Sequence, residues 1–197
     1  MIAKLRPLYN IFVMPLGKAS VSLKISPDFW TLFSLFAAIV GAIFLHLGYF
    51  WWGLTFIIVM FMADSLDGAT ARASGNLSKF GTVFDHSIDR YAEFIVIGGL
   101  MTGGWISPLV GMFAISGIIM ASYVRAKAES AGGLKDCTVG IAGRAEKLIL
   151  TYGSVIFLGL GWNLWATIML ILAGLISHIT FVQRLLYARA VIKQANQ

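Results

Sequence analysis

The sequence predicts an all-α integral membrane protein, with six transmembrane helices preceded by an N-terminal amphipathic surface helix. Three observations carry this expectation. Of the 197 residues, 58% are hydrophobic and only 12% charged, and the mean hydropathy is +0.83. A soluble domain of this length needs more charge to cover its surface. Lys and Arg are absent from three long stretches, 25–71, 91–124 and 148–183. Near the middle of each stretch lie turn-forming residues flanked by Tyr49, Trp51, Trp52, Trp105, Trp162 and Trp165, as in an interfacial aromatic belt.

Residues 1–24 read as interfacial. Lys4 and Arg6 precede a run broken by Pro7, Asn10, Pro15 and Lys18, which is not the continuous apolar core of a cleavable signal. Leu5, Leu8, Phe12 and Leu16 recur at roughly helical spacing among basic residues, as in a helix lying on a membrane. A crossing takes about 20 helical residues, so each basic-free stretch holds about one helical hairpin. The hairpins turn at His46-Leu47-Gly48, Thr102-Gly103-Gly104 and Gly159-Leu160-Gly161-Trp162-Asn163. Helices are therefore expected near 27–47, 50–72, 82–102, 108–130, 143–160 and 164–192, a bundle over 25–192. All fifteen Lys and Arg then fall on the side that holds both termini, which the positive-inside rule makes the cytoplasmic face of the cell membrane.

No polar linker or internal repeat divides the chain, so residues 1–197 are expected to form a single domain. The lone cysteine, Cys137, excludes an intrachain disulfide and a multi-cysteine metal site. The net charge of +6 does not point to nucleic acid, because the basic residues cluster at one set of helix ends.

Four of the nine acidic residues, Asp64, Asp67, Asp85 and Asp89, lie at the ends of adjoining helices. Carboxylates near a membrane are retained mostly where they face a polar cavity, a metal or a partner. Asp64 and Asp67 are spaced i,i+3 and Asp85 and Asp89 i,i+4, so each pair shares one helical face. Pairing with Arg72 and Arg90, or protonation, would relieve their repulsion. One or two divalent cations would do so too, and an all-oxygen site suits Mg²⁺ or Mn²⁺. Gly68 and Gly81 flank the turn, where a missing side chain lets backbone approach a ligand. Arg72 sits one turn beyond Gly68, placed to hold phosphate.

The segment Asp64-Ser65-Leu66-Asp67-Gly68-Ala69-Thr70-Ala71-Arg72, then eight residues, then Gly81-Thr82-Val83-Phe84-Asp85-His86-Ser87-Ile88-Asp89, resembles the signature of CDP-alcohol phosphatidyltransferases without a departure. The hydropathy of nearly the whole chain agrees with that family's six-helix fold, usually a homodimer. The resemblance implies that Asp64, Asp67 and Asp85 ligate metal, and that Asp89 is the general base, touching metal as well. It implies that Gly68, Ala71, Arg72 and Gly81 line the site of a CDP-linked lipid. A Pro-Asn-x-x-Thr pattern often opens the family's first membrane helix near the nucleotide. Here Pro27-Asp28-Phe29-Trp30-Thr31 keeps Pro and Thr, which makes Thr31 a nucleotide-site candidate, and replaces Asn by Asp28.

Phosphatidylglycerophosphate synthases commonly follow the third aspartate with a Pro-rich stretch. Asp85-His86-Ser87-Ile88-Asp89-Arg90 instead looks like the branch that uses inositol phosphate, as phosphatidylinositol phosphate and archaetidylinositol phosphate synthases do. Ser122-Tyr123-Val124-Arg125-Ala126-Lys127-Ala128-Glu129 and Gly140-Ile141-Ala142-Gly143-Arg144-Ala145-Glu146-Lys147 resemble two further segments of that branch. A phosphorylated alcohol is a dianion and wants cations, so Ser122, Arg125, Lys127, Arg144 and Arg184 are the acceptor candidates. Arg144, opening a helix, would add its charge to the favourable dipole end. Topology alone also puts basic residues at these helix ends. His46 and His178 are read as interfacial or packing residues, and His86, whose helical direction differs from that of Asp85 and Asp89, is given no role. Gly98, Gly99, Gly111 and Gly117 suit close helix packing or a dimer seam.

The expected reaction is transfer of a phosphatidyl-type group from a CDP-lipid, diacylglycerol or archaeal ether, to an inositol phosphate hydroxyl, with release of CMP. The same chemistry with glycerol 3-phosphate, serine or another inositol derivative is the nearest alternative. A cation transporter and a silent lipid-binding scaffold are the alternatives of other classes.

Overall fold

A computed structural model describes residues 6–75 and 77–195. Among the described residues the fold is all helical. Seven helices run in order: α1 (Arg6–Ser22), α2 (Pro27–His46), α3 (Phe50–Ser74), α4 (Lys79–Thr102), α5 (Pro108–Ser130), α6 (Arg144–Gly159) and α7 (Asn163–Ala195). The sequence placed α2 to α7 within about three residues of these bounds. Leu5 lies outside the described residues, as do the side chains of Leu8 and Phe12, while Leu16 is exposed.

Local chemistry fixes the ends. Ser26 Oγ accepts from the Phe29 amide at 3.2 Å, Pro27 opens α2, and Asp28 lies in its first turn. This is a helix start in which Asp28 meets the positive dipole end, a physical account of the carboxylate that departs from the family pattern. The expected turns carry glycines of positive φ, Gly48 at 80°, Gly104 at 76° and Gly161 at 78°, a region side chains rarely enter.

Among the described residues, four helices are long and apolar enough to cross a membrane: Pro27–His46, Phe50–Ser74, Pro108–Ser130 and Asn163–Gln194. The others differ for identifiable reasons. Helix α4 carries Asp85, Asp89, Arg90 and Glu93, and α6 has only 16 residues, about 24 Å of helix at 1.5 Å per residue. The many exposed Phe, Trp, Leu and Ile side chains fit an apolar surround rather than water.

The chain divides into two compact units, one of residues 1–45 and 52–96, the other of 46–51 and 97–197. In the first, α1 docks closely on α3. A Cβ added at Gly17 would lie 2.7 Å from the Ala69 backbone, and Trp30 Nε1 donates to Ser20 Oγ at 3.2 Å.

In the second unit, α5 and α7 meet through small residues. A Cβ at Gly117 would come 2.9 Å from His178 Cδ2 and 3.0 Å from the Gly174 carbonyl oxygen. His178 stacks on Phe113 with ring centroids 4.7 Å apart, and its Nε2 donates to the Phe113 carbonyl at 3.1 Å. Gly111 is likewise occupied within the chain, against Met101 and Ile97, whereas a Cβ at Gly98 would meet nothing within 4 Å. The buried hydroxyls of Thr151, Ser154, Ser177 and Thr180 each bond a carbonyl of their own helix. Replacing a helical glycine by alanine ordinarily gains up to about 1 kcal/mol. Gly117→Ala should instead lower the thermal midpoint, because overpacking costs about 1–3 kcal/mol. Gly153→Ala, with nothing within 4 Å of its Cβ, should leave the midpoint unchanged or raise it. Thermal unfolding of the two purified variants checks this.

Candidate functional site

The acidic motif is held by two helices of the first unit. Asp64 and Asp67 project from α3, and Asp85 and Asp89 from α4. The α3–α4 connection is short, and Ser78 Oγ caps α4 by accepting from the Gly81 amide at 2.8 Å. A Cβ at Gly81 would sit 2.9 Å from that same oxygen. Gly81 therefore serves the cap that starts the helix bearing Asp85.

One carboxylate oxygen from each of Asp64, Asp67 and Asp85 lies within 4.8 Å of the other two. At an effective dielectric near 20 each ionised pair at such a distance repels by about 3 kcal/mol or more. The arrangement asks for a cation, and an all-oxygen donor set of this size fits a small hard ion. Asp67 is buried, and Asp64 and Asp85 are half-buried. Asp89 stands outside that group of three, one turn further along α4. It is 7% exposed, with Arg90 Nη2 3.9 Å from its Oδ2.

Two neighbours support this cluster. Thr31 Oγ1, on α2, lies 2.8 Å from Asp67 Oδ2 and 3.4 Å from the Pro27 carbonyl. Its one proton goes to the nearer, charged acceptor. Thr31 thus orients an acidic residue, a role the sequence pattern alone did not give it. A Cβ at Gly68 would lie 3.1 Å from Arg72 Nη2, so the guanidinium folds back over the glycine. Arg72 is exposed and Ala71 half-buried on the same helix. Glu93 was not singled out by the sequence, although Asp85, Asp89 and Glu93 repeat every four residues. It is 4% exposed and pairs with Arg90 at 2.9 Å.

The acceptor candidates lie in the second unit. Ser122 and Arg125 share a face of α5, and Ser122 Oγ donates to the Ile118 carbonyl at 3.2 Å. Arg125 Nε donates to Glu129 Oε1 at 2.9 Å. Lys127 is exposed, its ammonium 5.9 Å from the centre of the Tyr123 ring. Arg144 is exposed at the first position of α6, after the N-cap Gly143, whose amide donates to Glu146 Oε2 at 2.9 Å. Arg184 is 6% exposed and donates to the carbonyls of Ala121 at 2.6 Å and Val139 at 3.0 Å. Lys147, also not singled out, is buried on α6. Cys137 lies buried between α5 and α7, and desolvation pushes its thiol pKa up.

The model of the CDP-alcohol phosphatidyltransferase family matches residues 24–180. The chain belongs to that family. Among relatives of this transferase, the archaetidylinositol phosphate synthase of Pyrococcus horikoshii is 32% identical over 190 residues, covering 96% of this chain and 97% of its own. The fold is similar to that of the Mycobacterium tuberculosis phosphatidylinositol phosphate synthase in a crystal structure with CDP-DAG bound. The TM-score is 0.82 at 26% identity, over 90% of this chain and 93% of that one. A crystal structure of the same synthase in complex with manganese and citrate gives 0.81 at 26% identity, over 90% and 88%.

Thr31→Val removes the hydroxyl that orients Asp67. Outer-shell partners of metal ligands contribute about 10–100-fold in affinity. The Mn²⁺ concentration for half-maximal activity should rise at least about tenfold in Thr31→Val and stay near wild type in Thr31→Ser, as read by metal titration of CMP release.

Proposed function

We propose that this chain transfers a phosphatidyl-type group from a CDP-linked lipid to a hydroxyl of an inositol phosphate, releasing CMP. The observation that carries the reading is the convergence of Asp64, Asp67 and Asp85 within 4.8 Å on the complete family motif. Support for the donor comes from the neighbour with CDP-DAG bound, and for the acceptor from the names of both relatives. Family membership gives the cation-transporter and scaffold readings no support.

Asp64, Asp67 and Asp85 would hold one or two Mg²⁺ or Mn²⁺ ions, which polarise the pyrophosphate and neutralise the leaving CMP. Thr31 keeps the Asp67 carboxylate in one orientation. Gly68 leaves room for Arg72, whose guanidinium would take a donor phosphate, with Ala71 and Gly81 lining the same nucleotide site. Asp89 lies outside the three-carboxylate cluster and would take the proton from the acceptor hydroxyl. The hydroxyl oxygen bonds to the lipid-bearing phosphorus as its bond to the CMP oxygen breaks. Ser122, Arg125, Lys127, Arg144 and Arg184 would receive the acceptor phosphate, with the α6 N-terminus adding its dipole.

Residues 1–197 would act as one membrane-embedded catalytic domain, which one continuous family match over 24–180 supports. The six-span reading takes α4 and α6 as crossings, their polar residues facing inward. Helix α1 would lie on the membrane surface. Both termini and the acidic site would face the cytoplasm, where the positive-inside rule puts the basic residues. The assembly would be a homodimer, with Gly98 a point on its seam.

The test is CMP release from CDP-diacylglycerol by purified protein with Mg²⁺ or Mn²⁺, across inositol phosphate, inositol, glycerol 3-phosphate and serine. Release that requires both metal and inositol phosphate is expected, and release with a different acceptor alone would overturn the acceptor assignment. Asp89→Asn should lower turnover by at least about 10²-fold, the usual contribution of a general base, with CDP-lipid affinity unchanged. Unaltered turnover would remove Asp89 as the base.

A further inference from the structure

Residues 131–143 connect α5 to α6 with no helix, and include Gly132, Gly133 and Gly140. A connection of that length and composition would ordinarily be mobile. Here side chains of α5 and α7 fasten it at successive points. Glu129 Oε1, in the last turn of α5, accepts from the Cys137 amide at 3.0 Å and from Arg125 Nε at 2.9 Å. Arg184, on α7, donates through Nε to the Val139 carbonyl at 3.0 Å and through Nη1 to the Ala121 carbonyl at 2.6 Å. Gln183 Oε1 accepts from the Ile141 amide at 2.9 Å. A Cβ at Gly140 would lie 2.6 Å from Thr180 Cγ2, so the backbone presses on α7 there. Leu134 and Cys137 are buried with Ala128 and Ala188.

We infer that 131–143 is a fixed strap and that Glu129 is its positioning residue, setting the affinity for the phosphorylated acceptor; this rests on the acceptor reading above. A single carboxylate oxygen couples the strap backbone to Arg125. Holding a guanidinium by Nε sets the plane of its fork and leaves Nη donors over for a phosphate. The exposed Asp136 carboxylate, 4.0 Å from Arg125 Nη2, is a partner an incoming dianion displaces, while Glu129 stays. The strap ends at Gly143, the N-cap of α6, so the same fastening sets where Arg144 begins the helix. Glu129 touches no substrate. It acts through Arg125 and through the strap.

Cys137 is the chain's one cysteine and is fully buried at the centre of the strap, which makes its alkylation a direct reporter. The experiment uses the full-length protein in lipid nanodiscs, as wild type, Glu129→Ala and Glu129→Gln. It measures the rate of N-ethylmaleimide labelling at Cys137, and kcat and KM for inositol phosphate and for CDP-diacylglycerol. Hydrogen bonds to charged groups are the stronger kind, so Glu129→Ala should raise both the labelling rate and the KM for inositol phosphate at least about tenfold. The KM for the CDP-lipid should change less than about twofold, well below the span of one such bond. Glu129→Gln keeps an oxygen for the Cys137 amide but loses the charge facing Arg125. It should leave labelling near wild type and still raise the acceptor KM, which keeps the inference testable if Glu129→Ala does not fold.

An unchanged acceptor KM in Glu129→Gln, or a loss confined to kcat or shared equally by both substrates, overturns the positioning role. Unchanged labelling in a folded Glu129→Ala overturns the strap. If the wild type ignores inositol phosphate, the acceptor reading fails on its own. Labelling then still judges the strap, and the KM split is read with whichever acceptor the wild type turns over.

Discussion

Three carboxylates that cannot comfortably share a space set the terms for this protein. Asp64, Asp67 and Asp85 bring an oxygen each to within 4.8 Å in a chain that is 58% hydrophobic. Such a cluster is stabilised when the helices carrying it are held and a cation answers its charge. Both demands shape the surroundings. Ser78 caps α4, Thr31 reaches from α2 to hold Asp67, and α1 presses its Gly17 against Ala69 within the acidic motif. The residues around the cluster are therefore committed to keeping it in place, and the phosphate chemistry follows from its charge.

Much of this was legible in the sequence because membranes make topology a charge pattern. Three stretches without Lys or Arg, each interrupted by a glycine turn, fixed α2 to α7 to within about three residues. The Asp64–Asp89 motif placed the acidic residues on the right helices, since i,i+3 and i,i+4 spacings report faces directly. What spacing cannot report is the neighbour a face meets. Thr31 and Asp67 are 36 residues apart, and nothing in either segment says that they bond. Arg184 was read from its place towards the end of α7 as a cation for the acceptor phosphate, and that place gave no sign of its backbone partners. Its buried guanidinium spends two donors on backbone carbonyls 45 and 63 residues away.

The same limit explains the strap. Glu129 was visible only as the last residue of a motif, because its two partners are a side chain one turn back and an amide eight residues on. The irregular 131–143 segment offers no periodicity to read. Its order comes from tertiary contacts, and an unpaired backbone amide that must be satisfied is a clue that emerges only once the fold is known.

The inward-bonded hydroxyls of α6 and α7 have a further consequence. Because Thr151, Ser154, Ser177 and Thr180 each satisfy themselves on their own helix, none is needed as a cross-link to a neighbour. Cohesion at such a seam is a matter of size and shape, so serine, alanine and glycine become near-synonyms wherever the volume permits. Exchange among small residues then leaves the packing almost untouched where the added volume fits, and disturbs it only at contacts as close as Gly117 on His178. A fold built this way can keep its form, at a TM-score of 0.82, while sharing only 26% of its residues with a relative.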